Sequence, residues 1–364
     1  MKISRLSPVG FLFIAAAALP IVSKAQTSGL TWTPTGPTNG DVFSHSASLL
    51  QAGEVLISGG SDGSGIVASA QLYDPASGRW SFTGNMSGPR QNHTSTTLPD
   101  GRVLVTGGQN GVTLLDSAEV YDPATGQWSG TGNMSTVRVL HEAVLLNTGE
   151  VLVAGGVAPP GTTYPTITEL YDPATGTWTP TDRLHIGRAP LTLTLLSDGR
   201  VLAAGGQNKN NRLQESEIYD PASGIWTVTG SLAVGRSDHT ATLLPSGQVL
   251  VAGGFDGTRA TASAELYDPS TALWTPTASL PRPRYTHRAT LLDGNVVLTG
   301  DVTTGAPNTW VLYDTATATW TRGKMKGPHS DHTATLLNDD TILVAGGIST
   351  TRRASCEIGA LTAP

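Results

Sequence analysis

The hydrophobic and polar positions of the chain follow one pattern that returns about every fifty residues. An apolar segment such as "EVLVAGG" is followed by a variable polar loop, a shorter apolar segment such as "ITELYDP", and a Trp-containing segment such as "TWTPT". The turns "NTG" and "PATG" that separate these segments are typical of hairpins. With "HEAVLL" in front, each unit predicts four short strands, A to D. The unbroken apolar strand B is expected to be buried on both faces.

Four sequence features mark the units. A Tyr-Asp dipeptide is followed by a Trp seven positions after the tyrosine, and a double glycine lies upstream, replaced by Gly300-Asp301 in the sixth unit. The tyrosines are Tyr73, Tyr121, Tyr171, Tyr219, Tyr267 and Tyr313. Strand A begins with a histidine in every unit except the fourth, which has Leu191. These histidines are His45, His93, His141, His239, His287 and His332.

The double glycine, the Tyr-Asp-Pro and the spaced Trp resemble kelch repeats, and the resemblance extends over nearly the whole chain after residue 25. It implies an all-β fold, a kelch-type β-propeller with four antiparallel strands in each blade. The Gly-His and Trp-Asp signatures of WD repeats do not occur here.

The two ends of this region complement each other. The last unit stops at Pro364 without a Tyr-Asp-Pro or a strand D, whereas "LTWTPTG" around Trp32 is a strand D without its own A, B and C. We expect this N-terminal strand to complete the blade of residues 329–359. The pairing would close a ring of seven blades and cover its open edge.

Residues 1–25 are of a different kind. Lys2 and Arg5 precede a short apolar run, and Ser23-Lys24-Ala25 follows it. This pattern predicts a signal peptide cleaved after Ala25, a propeller of residues 26–364, and a secreted or periplasmic protein. An uncleaved membrane anchor is the alternative, and no later segment resembles a membrane span.

Composition narrows the classes of partner. The formal net charge is 22 − 28 = −6, and removal of Lys2, Arg5 and Lys24 with the leader makes it 19 − 28 = −9. An acidic protein lacks the basic surface that a nucleic-acid partner requires. Cys356 is the only cysteine, so no intrachain disulfide can form. We expect a monomer stabilised by packing alone.

The B-to-C loops differ in length and charge, whereas the A-to-B and C-to-D turns are uniform. Because strands alternate in direction, the B-to-C loops share one rim with the D-to-A connections, and this variable rim is the predicted ligand site. The candidate binding residues are Asn110, Tyr164, Asn208, Lys209, Arg212, Phe255, Asp256, Arg259 and Arg353. A solvated rim without a ligand is the alternative.

The repeated polar residues are interpreted as structural. The histidines occupy equivalent places in different blades, too far apart to share one metal, and are expected to hydrogen-bond near the inner strands. Five arginines, each three residues before the histidine position, either form an anion site or pair with the glutamate two residues before the tyrosine. The Asp of Tyr-Asp-Pro is expected to form a turn. Arg212 with Glu215, and Asp256 with Arg259, are expected to be solvated ion pairs instead of acid/base couples.

Two functions remain open. The first is a secreted, non-catalytic propeller that binds a glycan or protein through the variable rim, with no catalytic residue, metal or cofactor. The second is an exported carbohydrate-active enzyme, because the chain is also similar to the kelch propellers of galactose oxidase and N-acetylneuraminate epimerase. Similarity to galactose oxidase implies copper held by tyrosines and histidines, with a cysteine cross-linked to a tyrosine. The position of Cys356 and the missing flanking domains speak against copper chemistry.

Overall fold

The computed structural model describes residues 29–159, 163–301, 308–348 and 355–362. The predicted signal peptide and the candidate Arg353 lie outside these residues. The described residues form seven four-stranded antiparallel sheets, the blades of a β-propeller. This confirms the fold class that the repeats predict. In these same ranges, no helix has the length and apolar character needed to cross a bilayer.

Six blades are built from four consecutive strands. Blade 1 contains β2 (Ser46–Leu49), β3 (Val55–Ser58), β4 (Ala70–Asp74) and β5 (Arg79–Phe82), and blade 2 contains β6 (Thr94–Thr97), β7 (Val103–Thr106), β8 (Ala118–Asp122) and β9 (Gln127–Gly130). Blade 3 contains β10 (Val139–Leu145), β11 (Val151–Val157), β12 (Ile167–Asp172) and β13 (Thr177–Arg183), and blade 4 contains β14 (Thr192–Leu195), β15 (Val201–Ala204), β16 (Ser216–Asp220) and β17 (Ile225–Val228). Blade 5 contains β18 (Thr240–Leu243), β19 (Val249–Ala252), β20 (Ala264–Asp268) and β21 (Leu273–Thr277), and blade 6 contains β22 (Arg288–Leu292), β23 (Asn295–Thr299), β24 (Thr309–Asp314) and β25 (Thr319–Lys324).

Blade 7 joins the two ends of the described chain. It contains β26 (Thr333–Leu336), β27 (Ile342–Ala345) and β28 (Cys356–Leu361), with β1 (Leu30–Thr35) as its outer strand. β1 pairs with β28 in an antiparallel register that places Trp32 opposite Gly359. A side chain at Gly359 would collide with the Trp32 ring, whose six-membered edge would lie 2.6 Å from an added Cβ. The prediction that the N-terminal strand closes the ring is confirmed.

The repeated Tyr and Trp hold neighbouring blades together. Within a blade the two rings pack at a tilt, as in the pair Tyr121–Trp128, whose centroids lie 5.1 Å apart. The Tyr121 hydroxyl lies 2.8 Å from Oγ1 of Thr83 in the preceding blade, and the Trp128 indole donates to the carbonyl oxygen of Gly84, 2.8 Å away. Because the tyrosine is fully buried, its ring stabilises the fold by about 2 kcal/mol and its hydroxyl needs this partner.

The double glycine is required by close packing between blades. Gly253 has a φ of 63°, and an added Cβ would lie 2.6 Å from the carbonyl oxygen of Arg284 in the next D-to-A connection. The connection therefore passes directly over the end of strand B. This contact brings the first residues of each strand A to the axis of the ring.

Candidate functional site

The A strands of adjacent blades contact one another all around the ring and enclose a channel. At the end that carries the B-to-C loops, the channel widens into a cavity of about 520 Å³. Its wall is built from the residues just before and after the histidine position in each of the seven blades. Most of these residues are polar, so the cavity suits a ligand with many hydrogen-bonding groups.

The residue before each histidine forms a narrow ring at this cavity. Ser44, Asn92, Leu140, Asp238, Thr286 and Asp331 all have a φ between 51° and 57°, and Pro190 takes the place in blade 4. The backbone compensates for these conformations by hydrogen bonds from blade to blade. Asn92 N donates to Ser44 O at 3.1 Å, and Ser44 N donates to Asp331 O at 3.2 Å. The side chains of this ring are therefore held at the channel mouth by neighbouring blades.

The histidines link the blades through their side chains. His93 Nε2 lies 2.8 Å from Oγ of Ser46, and His287 Nε2 lies 3.0 Å from Oγ1 of Thr240, in each case in the preceding blade. Burial lowers the pKa of His45, His141 and His239 to about 3, so these rings are neutral at physiological pH. The interpretation of the histidines as structural hydrogen-bonding residues is confirmed.

The histidine ring is interrupted at one place, and an acidic residue lies there. Leu191 replaces the histidine of blade 4, and the position that would bond to it in blade 3 holds Glu142 instead of Ser or Thr. Glu142 is half-buried in the channel wall, where loss of solvation raises its pKa to about 7, against the opposing effect of Arg288. Glu142 can therefore exchange a proton near neutral pH.

Arg288 is the second departure from the Ser/Thr pattern. It occupies the same position in blade 6, and its Nε donates to the carbonyl oxygen of His332 at 2.9 Å. His332 bonds to Oγ1 of Thr299 within its neighbouring blade instead, at 2.9 Å. The channel wall thus carries a carboxyl group in blade 3 and an exposed guanidinium in blade 6, on different sides of the ring.

The repeated arginines form buried ion pairs. Arg236 Nη2 lies 2.6 Å from Oε1 of Glu265, and Arg90, Arg138 and Arg188 pair in the same way with Glu119, Glu169 and Glu217 at 2.6 to 2.8 Å. The second oxygen of Glu265 accepts from the backbone N–H of Ala233 at 2.7 Å. The structural interpretation of these arginines is confirmed in four blades, and the alternative of a rim anion site is excluded there because both side chains are buried.

The Asp of each Tyr-Asp dipeptide forms the expected turn. Asp122 Oδ1, for example, accepts from the backbone N–H of Ala124 at 2.9 Å. The rim that carries the A-to-B and C-to-D turns is therefore built from local turn contacts, and the candidate site lies on the opposite rim.

The B-to-C loops of blades 1, 2, 4 and 5, which the structure describes in full, are small turns. In these blades, the residue after the double glycine pairs both with the D-to-A connection that leads into its own blade and with the far side of its own loop, as in Ser237↔Phe255↔Ala260. Asn208 Oδ1 accepts from the backbone N–H groups of Asn210 and Asn211, and Asp256 Oδ1 accepts from those of Thr258 and Arg259. The side-chain oxygens of two candidate residues are thus used to shape their own loops.

The other candidates lie on separate loops. Asn110, Lys209 and Arg259 are exposed, and Arg259 Nε lies 3.8 Å from Asp256 Oδ2. Tyr164 is half-buried against Gly187, and a Cβ added to Gly187 would collide with the carbonyl oxygen of Tyr164. None of these residues lines the channel cavity.

The structure brings Arg212 and Phe255 together. The Arg212 guanidinium lies 5.3 Å from the centroid of the Phe255 ring, on the neighbouring loop, so Arg212 stacks across blades. Tyr285 packs on the same ring with centroids 5.6 Å apart. The neighbouring residues Asp238 and Thr286 line the cavity, so the cluster of Arg212, Phe255 and Tyr285, here called the aromatic cluster, lies beside the channel mouth.

Sequence reasoning missed Tyr285, Glu142 and Arg288. Tyr285 lies in a D-to-A connection, and only the B-to-C loops were considered variable. Glu142 and Arg288 were detectable, because they are the two residues that break an otherwise uniform row of Ser and Thr after the histidine position.

The comparisons with known proteins agree with this architecture. The kelch motif matches residues 43–87, 89–135 and 236–281. Among curated protein sequences, none matches this chain. A fungal alcohol oxidase of the AA5 family, solved in complex with copper, is 19% identical with a TM-score of 0.74, over 91% of this chain and 76% of the oxidase. The protein YjhT is 17% identical with a TM-score of 0.62, over 79% of this chain and 99% of YjhT.

The fold and the repeat together define the class. The chain is a kelch-repeat β-propeller. At these identities, the two solved structures establish the shared fold and nothing further about chemistry.

The residues that the structure describes do not fit a copper site. In the described ranges, no three His, Cys, Asp or Glu side chains lie close enough to hold a metal ion. The channel histidines direct Nε2 to Ser or Thr hydroxyls. Cys356 is buried in an apolar cluster with Val42 and Trp80, and burial raises its pKa to about 11, which disfavours the thiolate.

Proposed function

We propose that this protein is an exported, non-catalytic propeller that binds a glycan on the variable rim, with the ligand spanning the aromatic cluster and the channel mouth. Export follows from the signal peptide that residues 1–25 predict. A protein ligand on the same rim is the other partner that the sequence suggested. The proposal places the site in one part of the rim, beside blades 4 to 6.

The observation that carries the proposal is the combination of rings and hydrogen-bonding groups at one place. Sugars present C–H groups on one face and hydroxyls at the edge, and a half-buried aromatic ring beside polar side chains matches both. Phe255 and Tyr285 supply the rings, and Asp238, Thr286 and Arg288 supply donors and acceptors at the cavity wall. The ring and guanidinium of the aromatic cluster are already packed against each other, so little side-chain freedom is lost on binding.

The test is a glycan array followed by calorimetric titration of the glycans that bind. Phe255→Ala and Tyr285→Ala should each weaken binding by roughly tenfold, because each removes about 1.4 kcal/mol of ring contact. Gln109→Ala is the matched control, since Gln109 holds the position of Phe255 in blade 2 and should leave affinity unchanged. Equal affinity in all three variants would remove the aromatic cluster from the site, and binding of proteins alone would replace the glycan with the second partner.

A carbohydrate-active enzyme of the epimerase or mutarotase type is the second candidate, and Glu142 is the observation that favours it. A carboxyl group whose pKa is about 7 can both give and accept a proton at neutral pH, which proton transfer at a sugar ring requires. Arg288 on the same channel wall would stabilise negative charge on the ligand.

Anomer exchange of free sugars, followed by NMR, tests this candidate. Glu142→Gln should lower the exchange rate at least ~100-fold, and the wild-type rate should change near pH 7. Asp331→Asn is the control, because it neutralises a different carboxylate of the same cavity. A wild-type rate equal to that of buffer would eliminate the enzyme candidate and leave the binding proposal unaffected.

A further inference from the structure

The buried Arg–Glu pair of blades 2 to 5 is incomplete in blade 6. Arg284 is buried like the other four arginines, but Val311 occupies the position of the glutamate. Pro281 occupies the position of Ala233, whose N–H binds the second carboxylate oxygen in blade 5. Blade 6 has therefore lost both the carboxylate and the backbone donor that holds it, while the arginine remains.

The contacts of Arg284 are weaker than those of its counterparts. Its Nη1 lies 3.4 Å from the carbonyl oxygen of Gly300 and its Nη2 lies 3.5 Å from Oγ1 of Thr309, whereas Arg236 donates to Glu265 at 2.6 Å. Burial lowers the pKa of Arg284 to about 10, partly offset by Asp301 acting through space. In the described part of the chain, no carboxylate lies at ion-pair distance from Arg284. The guanidinium is thus a buried cation with poor hydrogen bonds.

A cavity of about 390 Å³ lies beside this guanidinium. Its wall contains three further cationic side chains, Arg282, Arg322 and Lys324, together with Asn308 and Thr309, and no acidic residue among those described. Arg282, Arg322 and Lys324 are exposed, so the cavity opens to solvent. Four cations around one cavity are unusual in a chain whose net charge is −6. Such a concentration of positive charge attracts anions.

We propose that this cavity binds a small organic anion through its carboxylate group, which takes the position of the glutamate carboxylate in the other blades. One oxygen would accept from Arg284, as Glu265 Oε1 accepts from Arg236. The other oxygen would lack the backbone donor equivalent to Ala233 N–H, because Pro281 has no N–H, and would be bound by the cations of the wall. The volume accommodates a molecule larger than acetate, such as an acidic sugar or an acidic amino acid. This site is separate from the channel mouth and does not depend on the glycan proposal.

The test is titration of the full chain with acetate, L-glutamate and D-glucuronate at constant ionic strength, followed by NMR of the arginine side-chain N–H groups. We expect saturable shifts at Arg284 and a higher melting temperature with the carboxylates, and none with D-glucose. Preference for glucuronate or for glutamate identifies an acidic sugar or an amino acid as the source. Equal effects of chloride or phosphate would overturn the proposal, and so would the absence of saturable shifts with every carboxylate.

Two variants separate this site from general charge effects. Val311→Glu restores the carboxylate of the other blades and should abolish carboxylate binding, because the side chain fills the position itself. Arg322→Gln with Lys324→Gln changes exposed side chains only, should fold normally, and should weaken binding roughly three- to tenfold. Arg183→Gln is the matched control, since Arg183 ends the outer strand of blade 3, where Glu169 already occupies the slot. Binding that is unchanged in the double variant, or equally weakened in the control, would refute the assignment.

Discussion

Moderate acid should unfold this protein through the histidines of the channel. His45, His141 and His239 have a pKa of about 3 in the folded state, and burial also lowers the pKa of His93, His287 and His332. In the unfolded chain the pKa of histidine is about 6.5. Between these values the unfolded state binds more protons than the folded state. The stability that neutral histidines contribute is therefore complete above about pH 6.5 and is lost as the pH falls toward 3.

The magnitude follows from the number of protons. For each proton taken up on unfolding, the free energy of unfolding falls by about 1.4 kcal/mol for every unit by which the pH is lowered. The three histidines with a pKa of about 3 together give roughly 4 kcal/mol per unit near pH 5, and the other three act in the same direction. Glu142, whose pKa of about 7 is raised, binds its proton in the folded state and offsets about one of these protons. Since domains are stable by only about 5–15 kcal/mol, unfolding should occur well above pH 3.

The assay is urea unfolding followed by tryptophan fluorescence at several values between pH 7.5 and 4.5, where the pH dependence of the free energy gives the proton uptake. His239→Leu copies the natural substitution at Leu191 and should reduce the uptake by about one proton. Gln109→Ala, on the exposed rim, serves as the control and should leave the uptake unchanged. A proton uptake near zero between pH 6.5 and 5, or an unchanged uptake in His239→Leu, would refute the argument.

Two further predictions concern packing. Glu265→Val should lower the free energy of unfolding by about 3–5 kcal/mol because it leaves Arg236 buried without its partner. Arg236→Met combined with Glu265→Val should lower the free energy of unfolding clearly less, and equal losses in urea denaturation would contradict this. Deletion of residues 26–36 should lower the melting temperature strongly, and an unchanged melting temperature would show that the ring does not depend on this strand. Trp32→Ala alone should lower the free energy of unfolding by about 3–5 kcal/mol, because Trp32 is 3% exposed in the closing blade.

Much of the fold could be predicted because the same contacts recur between most neighbouring blades. In most blades the Tyr hydroxyl, the Trp indole and the double glycine contact the neighbouring blade in the same way. The repeated residues in the sequence therefore mark the contacts between blades. Even the joint replacement of the Arg and the Glu by Val42 and Gln71 in the first unit was visible in the sequence.

The candidate site was harder to predict for a geometric reason. The channel wall collects one short segment from every blade, and these segments are almost fifty residues apart in sequence. Loop variability selected the rim on which Phe255 and Arg212 lie. It could not distinguish a side-chain oxygen that faces solvent from one that shapes its own turn, as in Asn208 and Asp256. Tyr285 was missed because its contact with Phe255 exists only in three dimensions.

Departures from a repeat carry different information depending on whether both partners change. Where both change, as in Val42 with Gln71, the contact is structural and its loss leaves no charge behind. Arg284 is different, because it keeps its guanidinium where Val311 replaces the glutamate that pairs with the arginine in four other blades. Glu142 is also different, because it replaces the Ser or Thr of the other blades at the place where Leu191 replaces the histidine. A buried ionised group without its partner costs several kcal/mol, and an apolar side chain of similar size would avoid that cost. The ionisable side chains at these two positions, each on the wall of a cavity, are therefore better explained by a ligand that completes the contact than by stability.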